Sequence, residues 1–469
     1  MRAPWLTLLA ALAVACDAGS GGGRPDAGTG GTPDAGPRSG QDGGLGSSDA
    51  GSDGGTGTGQ APPGASTTVP VNVPASMRGA PFDVPRALTV PQGFSIAVYA
   101  RVPGARFITV TPEGNLLVSN PGAGKVVLVR AGAGGGDPVV SDWVTGLKKP
   151  HDLVFHRIGS TLWLYLSESN GVRRYAWTGA ATAPAGEVVI TGLPDSSTPE
   201  LHGAYGHELK NIALDSQDRL FVSIASSCNV CASDAQADPV RGAIYLFDAT
   251  GGNRRLYARG LRNAEGLAFF PGTDDLWVSV NNRDDLPYPF DDSTGQYGQI
   301  VPSYADDHPP DELIRLRDGG NYGWPFCNPN PDSASGLFDM PFDRDYDTNR
   351  DGSAADCSAM DRVTMGIQAH SATLGLTFLQ GTGFPAPWSS AAATALHGSW
   401  DRTIPTGDKV ILVPFVNRNQ QPSPVVDLVT GWTGSDGKYW GRPVDVAVDP
   451  GGGLLISDDA SGTIYRLGR

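Results

Sequence analysis

The sequence predicts an all-β protein, a six-bladed β-propeller preceded by a disordered N-terminal tether. Its 469 residues include 64 glycines and 38 prolines, and only 18% are charged, which is typical of many strands joined by tight turns. A pattern of apolar strands separated by Pro/Asp/Gly turns recurs six times, and no long amphipathic helix interrupts it. Strands that repeat every roughly 50 to 70 residues without helices indicate propeller blades rather than two packed β-sandwiches.

The N-terminus, residues 1–16, is predicted to be a lipoprotein signal peptide. Arg2 precedes an apolar run from Leu6 to Val14, and small residues then lead to Cys16 in the string LAVAC. The run is too short to span a bilayer. We expect an exported protein, lipid-anchored through Cys16 on the periplasmic or cell-surface side of the bacterial envelope. A conventional cleaved signal is the alternative.

The segment 17–66 is predicted to be a disordered linker. It consists almost entirely of Gly, Ser, Asp, Thr, Pro and Ala. Such a composition cannot bury enough apolar surface to offset the entropy lost on ordering. The linker would hold the folded domain away from the membrane, so the lipid anchor would be the only membrane contact.

The propeller is predicted over residues 88–469. Single hydrophobic cores stop growing near about 300 residues, so a folded part of this length needs a modular architecture. Each copy has an alternating apolar strand, a turn, a second apolar strand and a third strand with a pattern like GxIYRL. The six copies begin at Phe107, Pro150, Leu209, Ala264, Leu374 and Pro443.

Four cysteines follow Cys16, an even number that suggests disulfides in an exported protein. Proximity in sequence favours the pairs Cys228–Cys231 and Cys327–Cys357, although three connectivities are possible. The C-x-x-C pair could instead be redox-active or half of a zinc site. Because no second Cys/His pair stands at metal spacing, a loop-stapling disulfide is the preferred interpretation.

The charge distribution limits the possible partners. The formal net charge is −15, and Lys and Arg form no cluster. Nucleic-acid binding usually needs a basic footprint, so nucleic acid is not expected as a partner. A small polar or neutral molecule fits better.

Three polar residues stand just before the innermost strands of two neighbouring copies. His207 precedes the third copy, and Arg262 and Asn263 occupy the same point of the fourth. Propeller loops gather at one face around a central channel, so we expect these side chains at the channel mouth. Imidazole suits a general base, and a guanidinium beside an amide can stabilise an oxyanion. In isolation, each would more commonly be a hydrogen-bonded loop residue.

A second group of side chains suits a planar anionic cofactor. Trp400, Arg402 and Lys409 share one loop with His397, and Arg442 precedes the last copy. An aromatic ring can stack on a planar ligand while cations pair with its carboxylates. We therefore predict that these side chains bind a cofactor.

A calcium loop is predicted at Asp347, Asn349 and Asp351, which precede Gly352 in a D-x-N-x-D-G pattern. Alternating oxygen-bearing side chains ahead of a glycine turn suit Ca²⁺. The twelfth position is Ser358 rather than Glu, so the loop is not an EF-hand. A solvated acidic loop is the alternative.

The folded part resembles the sorbosone dehydrogenase branch of the glucose/sorbosone dehydrogenase family, which includes soluble quinoprotein glucose dehydrogenases and fungal pyranose dehydrogenase. The resemblance covers residues 88–469. It rests on six strings in chain order: GHELKNIALD, SSCNVC, ARGLRNAEGLAF, DELIRLRDGGNYGWPFC, LHGSWDRTIPTGDKV and WGRPVDVAVDPGG.

The resemblance implies two cofactors, pyrroloquinoline quinone (PQQ) and Ca²⁺, and a role for each matching residue. His207 would remove the substrate's hydroxyl proton while a hydride passes to the quinone. Arg262 and Asn263 would bind the quinone oxygens, and Arg402, Lys409 and Arg442 the cofactor's carboxylates. The segment Asn281, Asn282 and Arg283 would supply oxygens to Ca²⁺.

The predicted function is oxidation of a sugar or a related polyol or aldehyde. Electrons would then leave to a quinone or a cytochrome. A metal-dependent propeller lactonase is less favoured, because basic residues stand where acidic ligands would be needed. A non-catalytic propeller that binds a glycan or a protein at the cell surface is the other alternative.

Overall fold

A computed structural model describes residues 65–386 and 388–469 of the protein. The predicted signal peptide, Cys16 and linker residues 17–64 lie outside the described residues. The first strand begins at Ser66, the last residue of the predicted linker. Within the described ranges, no helix is both long enough and apolar enough to cross a membrane.

The described residues are organised almost entirely as β-strands. A single turn of α-helix, α1 (Pro302–Ala305), lies between two strands of the fourth blade, and the other helices are short 3₁₀ turns. The 3₁₀ turns are Ala75–Met77, Ala133–Gly135, Pro199–Leu201, Ala232–Gln236, Cys357–Ala359 and Trp388–Ser390. The strands are β1 (Ser66–Pro70), β2 (Ala87–Pro91), β3 (Ser95–Arg101), β4 (Ile108–Val110), β5 (Leu116–Asn120), β6 (Lys125–Arg130), β7 (Val139–Thr145), β8 (Leu153–Ile158), β9 (Thr161–Glu168), β10 (Gly171–Ala176), β11 (Glu187–Thr191), β12 (Ile212–Leu214), β13 (Arg219–Ile224), β14 (Ala243–Asp248), β15 (Arg255–Arg259), β16 (Asn263–Phe269), β17 (Leu276–Asn281), β18 (Asp311–Arg315), β19 (Gly320–Asn321), β20 (Cys327–Pro329), β21 (Phe338–Met340), β22 (Phe342–Arg344), β23 (Val363–Ile367), β24 (Thr373–Phe378), β25 (Ala392–Leu396), β26 (Lys409–Val413), β27 (Val426–Val429), β28 (Pro443–Val448), β29 (Leu454–Asp458) and β30 (Thr463–Gly468).

Six blades stand around a central channel, which confirms the predicted fold class. From the inside outward, blades 1, 2 and 5 are β4-β5-β6-β7, β8-β9-β10-β11 and β24-β25-β26-β27. Blade 3 is β12-β13-β14-β15 with β19 added, and blade 4 is β16-β17-β18-β23 with β21 added. Neighbouring innermost strands contact one another around the whole ring, including β28 with β4.

The ring closes through a strand from the N-terminal side of the propeller. Blade 6 is β28-β29-β30-β3, in which β3 pairs antiparallel with the C-terminal strand, for example Ile96 with Leu467. The first and last parts of the propeller therefore share one sheet. Closure of this kind leaves no open gap between the first and last blades.

Serines on the second strands connect one blade to the next. The Ser167 hydroxyl accepts from the Asp152 backbone N–H at 2.9 Å and donates to the Lys210 carbonyl of the following blade at 2.5 Å. Ser279 and Ser457 make the equivalent pair of bonds in blades 4 and 6. Each of these hydroxyls thus satisfies buried backbone groups of two adjacent innermost strands.

A small apolar cluster divides the channel. Phe107, Leu374 and Val444 come from blades 1, 5 and 6 and form a buried group. Leu374 also lines a pocket on one side of this cluster, and Phe107 lines the channel on the other side. The cluster is therefore the floor of that pocket.

Both predicted disulfides are formed. Cys228 pairs with Cys231 and Cys327 pairs with Cys357. This confirms one of the three connectivities that the sequence allowed. The C-x-x-C motif is thus closed into a small covalent ring that follows β13 of blade 3.

Candidate active site at the channel mouth

A pocket lies at the channel mouth where the innermost strands begin. It comprises about 480 Å³ of space, part of which is open to solvent. Five residues that the sequence singled out line it: His207, Asn263, Asn281, His397 and Trp400. They come from the starts of innermost strands and from loops after second strands, which is the placement predicted for a propeller site.

His207 is buried and its ring is held from blade 3. Its Nδ1 lies 3.1 Å from the Ser226 carbonyl oxygen and 2.8 Å from the Ser226 hydroxyl. A carbonyl oxygen can only accept a hydrogen bond, so this contact favours the tautomer with its proton on Nδ1. The lone pair of that tautomer is on Nε2, the atom that would act as a base.

Arg262 is fully buried and contacts two residues that line the pocket. Its guanidinium donates to the Asn281 carbonyl at 3.4 Å and lies 3.6 Å from the Asp284 carboxylate. It also donates to the backbone and side-chain oxygens of Asn229, at 3.1 and 3.0 Å. Asp284 lines the pocket, so Arg262 belongs to the same constellation as the residues at the mouth.

Asn263 is the first member of a buried polar chain. Its amide donates to Glu265 at 3.1 Å, and the second Glu265 oxygen is 3.2 Å from His151 Nε2. Burial acts to raise the pKa of Glu265, but the hydrogen bonds from His151 and Asn263 and the nearby Arg106 charge together outweigh it and lower that pKa to about 2. A charged Glu265 therefore orients the Asn263 amide. Sequence reasoning missed His151 and Glu265, although both stand near the starts of innermost strands.

Arg442 and Trp400 meet on another side of the mouth. Arg442 lies 5.5 Å from the Trp400 ring centroid and donates to His397 Nδ1 at 3.0 Å. His397 Nε2 in turn donates to Asp459 at 2.9 Å, and Asp459 pairs with Arg106 at 2.8 Å. Burial and the Arg442 charge lower the pKa of His397 to about 4, so this imidazole is neutral. Asp459 and Arg106 were not predicted.

His370, which was not predicted as a site residue, contacts the Asp284 carboxylate. Its Nε2 donates to the Ala305 and His308 carbonyls at 2.7 and 3.0 Å, and its Nδ1 lies 3.2 Å from Asp284. Burial acts to lower the pKa of His370, but the hydrogen bond to Asp284 raises it overall. With acceptors at both nitrogens, the ring suits the imidazolium form.

Arg402 and Lys409, which the sequence predicts as cofactor contacts, do not line the pocket. Arg402 is 3.6 Å from Asp307 and donates to the Ile404 carbonyl at 3.1 Å. Lys409 begins β26 and pairs at 2.8 Å with Asp427 of the outermost strand. Their loop does reach the mouth at Trp400, but the two cations are paired with carboxylates elsewhere.

Of the predicted calcium segment, only Asn281 lines the pocket. The Asn282 side chain turns into blade 4, where it donates to the Pro310 carbonyl at 3.1 Å and to Glu312 at 2.9 Å. Arg283 is also buried and faces the loop of the D-x-N-x-D-G motif. The side chains of Asn282 and Arg283 thus face away from the pocket, and main-chain oxygens of this segment stay the predicted Ca²⁺ ligands.

The predicted calcium loop is stabilised by an arginine. Arg283 contacts Asp345 at 2.5 Å and Asp347 at 3.1 Å. Asn349 accepts from two backbone N–H groups of its own loop, and Asp351 accepts from the Ser353 backbone. In the described part of the chain, no group of three or more His, Cys, Asp or Glu residues could hold a metal. Asp347 thus pairs with Arg283, and Ca²⁺ at Asp347, Asn349 and Asp351 stays a prediction from the sequence.

Replacing Arg283 by methionine should lower the free energy of unfolding by about 3–5 kcal/mol, because Asp345 would be left buried without its cation. Chemical denaturation measures this change. Arg254→Met is the matched control, since Arg254 and Asp238 form an exposed pair at 3.0 Å worth at most about 1 kcal/mol. Equal effects of the two substitutions would contradict a stabilising role for the buried pair.

Comparisons with known proteins identify a matching family model and solved structures with a similar architecture. A family model described as TrAA12-like matches residues 88–469. The holo form of the pyranose dehydrogenase PQQ domain from Coprinopsis cinerea is 20% identical with a TM-score of 0.65, over 81% of this chain and 97% of that one. The calcium structure of the Trichoderma reesei carbohydrate-active enzyme of family AA12 is 22% identical with a TM-score of 0.65, over 81% and 96%. These likenesses show a shared fold.

A curated relative is an uncharacterized protein from Borreliella burgdorferi. It is 25% identical over 264 residues, which is 56% of this chain. The matched region spans 60% of the relative's length.

Proposed function

The chain belongs to the TrAA12-like family, and from this premise we propose that it is a PQQ-dependent oxidoreductase that oxidises a sugar or a related polyol or aldehyde. The observation that carries the proposal is the convergence of His207, Arg262 and Asn263 at the channel mouth. The name of the Coprinopsis cinerea structure, a pyranose dehydrogenase PQQ domain in its holo form, supports the choice of cofactor.

The residues of the pocket fit PQQ, which is a planar quinone with three carboxylates. Arg262 and Arg442 supply two guanidinium groups beside the pocket, and Trp400 presents a half-exposed ring. Cations and an aromatic face are the groups that a planar anionic ligand requires.

When bound, PQQ would supply a carbonyl carbon able to accept a hydride. His207 would take the substrate's hydroxyl proton on Nε2, while Ser226 holds the ring in the reactive tautomer. Arg262 and Asn263 would stabilise negative charge that develops on the acceptor oxygens. Phe107, which belongs to the apolar floor, separates the reacting groups from water in the lower channel.

We propose Ca²⁺ as the second cofactor, held by main-chain oxygens of the segment that begins at Asn281. The calcium structure from Trichoderma reesei supports this choice. Carbonyl and carboxylate oxygens are the ligands that Ca²⁺ prefers, and Asn281 and Asp284 bring both kinds to the pocket. The ion would make a bound quinone a better hydride acceptor.

Two further expectations from the sequence remain proposals. The protein would be exported and anchored through a lipid on Cys16. Its electrons would pass to a quinone or a cytochrome. Both are consistent with an acidic protein whose substrate is a small molecule.

Titration of the purified chain with PQQ and Ca²⁺ tests the proposal. We expect saturable binding in the quinone absorbance, followed by bleaching when a suitable aldose is added and by reduction of a dye acceptor. Removing Ca²⁺ with a chelator should slow the reduction. If the folded protein binds no PQQ with calcium present, the non-catalytic propeller becomes the better interpretation.

A further inference from the structure

The ring closed by Cys228 and Cys231 has a polar residue at its tip that faces the active site. Asn229 and Val230 are the two residues inside the ring. The main-chain carbonyl of Asn229 and both polar atoms of its side chain make hydrogen bonds. The motif that the sequence left open between a redox pair, a zinc half-site and a staple thus carries a specific contact residue.

Two of these hydrogen bonds hold the Arg262 guanidinium. Arg262 Nε donates to the Asn229 carbonyl oxygen at 3.1 Å, and Nη2 donates to Asn229 Oδ1 at 3.0 Å. The guanidinium is planar, and two of its N–H groups donate to two oxygens of the same residue. These two hydrogen bonds fix the plane of the guanidinium as well as its position.

Two more hydrogen bonds hold the backbone of Asp284. Its N–H donates to Asn229 Oδ1 at 3.0 Å, and its carbonyl accepts from Asn229 Nδ2 at 2.8 Å. Trp324 Nε1 also donates to the Asn229 carbonyl, at 3.1 Å. One residue in blade 3 therefore connects Arg262 to the pocket-lining loop of blade 4.

The short ring is a suitable support for this task. A disulfide between cysteines three positions apart limits the conformations of the loop that carries Asn229. Transition-state stabilisation requires donors that are already in place, and a displacement of about 1 Å can cost about 10²-fold in rate. An arginine on a long, rotatable side chain reaches such accuracy only when neighbouring groups hold it.

We propose that Asn229 is a positioning residue that orients Arg262 and the Asp284 loop for binding the quinone cofactor. This inference rests on the proposed function. Asn229 would touch neither substrate nor cofactor and would act through Arg262.

The test compares Asn229→Ala, Asn229→Asp and the control Asn417→Ala in the full chain. Asn417 is exposed and its side chain bonds only to neighbours in its own loop. We expect Asn229→Ala to weaken PQQ affinity and lower kcat by about 10- to 100-fold with the sugar KM unchanged. Asn229→Asp keeps both oxygens that face Arg262 but loses the amide donor to the Asp284 carbonyl, so it should restore the hold on Arg262 and recover only part of the loss in kcat. In an Arg262→Lys background, which has no planar fork, Asn229→Ala should add little further loss.

A second readout needs no cofactor. Phenylglyoxal labels accessible arginines, and mass spectrometry of the cofactor-free protein reports the labelling of Arg262. We expect Arg262 to be protected in the wild type, in Asn417→Ala and in Asn229→Asp, and labelled in Asn229→Ala.

Several outcomes would overturn the proposal. The proposal is wrong if Asn229→Ala binds PQQ as tightly as the wild type and its Arg262 stays as protected from labelling as in the wild type. If Asn229→Ala does not fold, labelling of Arg262 in Asn229→Asp would overturn it, because both of the oxygens that hold Arg262 remain there. If the wild type binds no PQQ, the proposed function fails, and with it the role toward the quinone. The labelling would then show only whether Asn229 holds Arg262 in place.

Discussion

Replacing His207 by alanine should lower turnover by about 10²- to 10⁴-fold, the usual contribution of a positioned general base, and leave PQQ affinity within a few-fold of the wild type. The expectation follows from the Ser226 contacts, which leave the lone pair on Nε2. The cofactor's predicted cationic partners are Arg262 and Arg442, which precede the innermost strands of blades 4 and 6, whereas His207 is held by Ser226 of blade 3. Affinity and turnover should therefore separate in this variant.

Absorbance titration with PQQ and dye reduction with a saturating aldose measure the two quantities. His156→Ala is the matched control, because His156 bonds to Asp218 at 2.7 Å on blade 2 and does not line the pocket. Turnover in the control should match the wild type. Full activity of His207→Ala would assign the base to another residue, and an equal loss of affinity and turnover would indicate a binding role instead.

The fold was predictable because each blade repeats a local pattern. The starts of the innermost strands could be read from apolar alternation, and this placed His207, Arg262 and Asn263 at one end of the channel. The same pattern could not reveal that β3 completes blade 6. The sequence of a single strand does not indicate which strand it will pair with. Here the partner of β3 is β30, at the other end of the propeller sequence.

Three predicted site residues, Arg283, Arg402 and Lys409, do not line the pocket, because each cation pairs with a carboxylate elsewhere in the fold. Lys409 shares a loop with Trp400 in sequence, yet it pairs with Asp427 on the outer strand. Arg283 belongs to the predicted calcium segment, but its side chain reaches Asp345, 62 residues further on. Asp345 gave no signal, because an acidic residue in a polar loop is ordinarily solvated. Local spacing in the sequence does not predict ion pairs between segments that only the tertiary structure brings together.

The C-x-x-C motif around Asn229 could be recognised in the sequence, but its role in the structure differs from the one that the cysteines suggest. C-x-x-C usually draws attention to its sulfur atoms. Here the two cysteines close a ring, and the residue between them makes the contacts with Arg262 and Asp284. The motif could be found in the sequence, but its function could be inferred only after blades 3 and 4 were placed side by side.

Replacing Arg262 by alanine should weaken PQQ binding by about 10- to 100-fold, the equivalent of one or two charge-assisted hydrogen bonds. It should also lower turnover by about 10²- to 10³-fold, as expected when one preorganised donor to a developing oxyanion is lost. Both effects arise because the guanidinium is fully buried beside the pocket and is the cation nearest to Asp284 apart from His370. The same titration and dye assay measure them.

Arg262→Lys separates charge from geometry. It keeps a cation near Asp284 but loses the planar fork that reaches Asn229 and Asn281 together, so we expect partial recovery of binding and little recovery of turnover. Arg255→Ala, in an exposed pair with Asp318 at 2.6 Å, is the control and should behave as the wild type. A wild-type titration curve for Arg262→Ala would remove this residue from the cofactor site. The convergence of His207, Arg262 and Asn263 would then no longer support a quinone at the channel mouth.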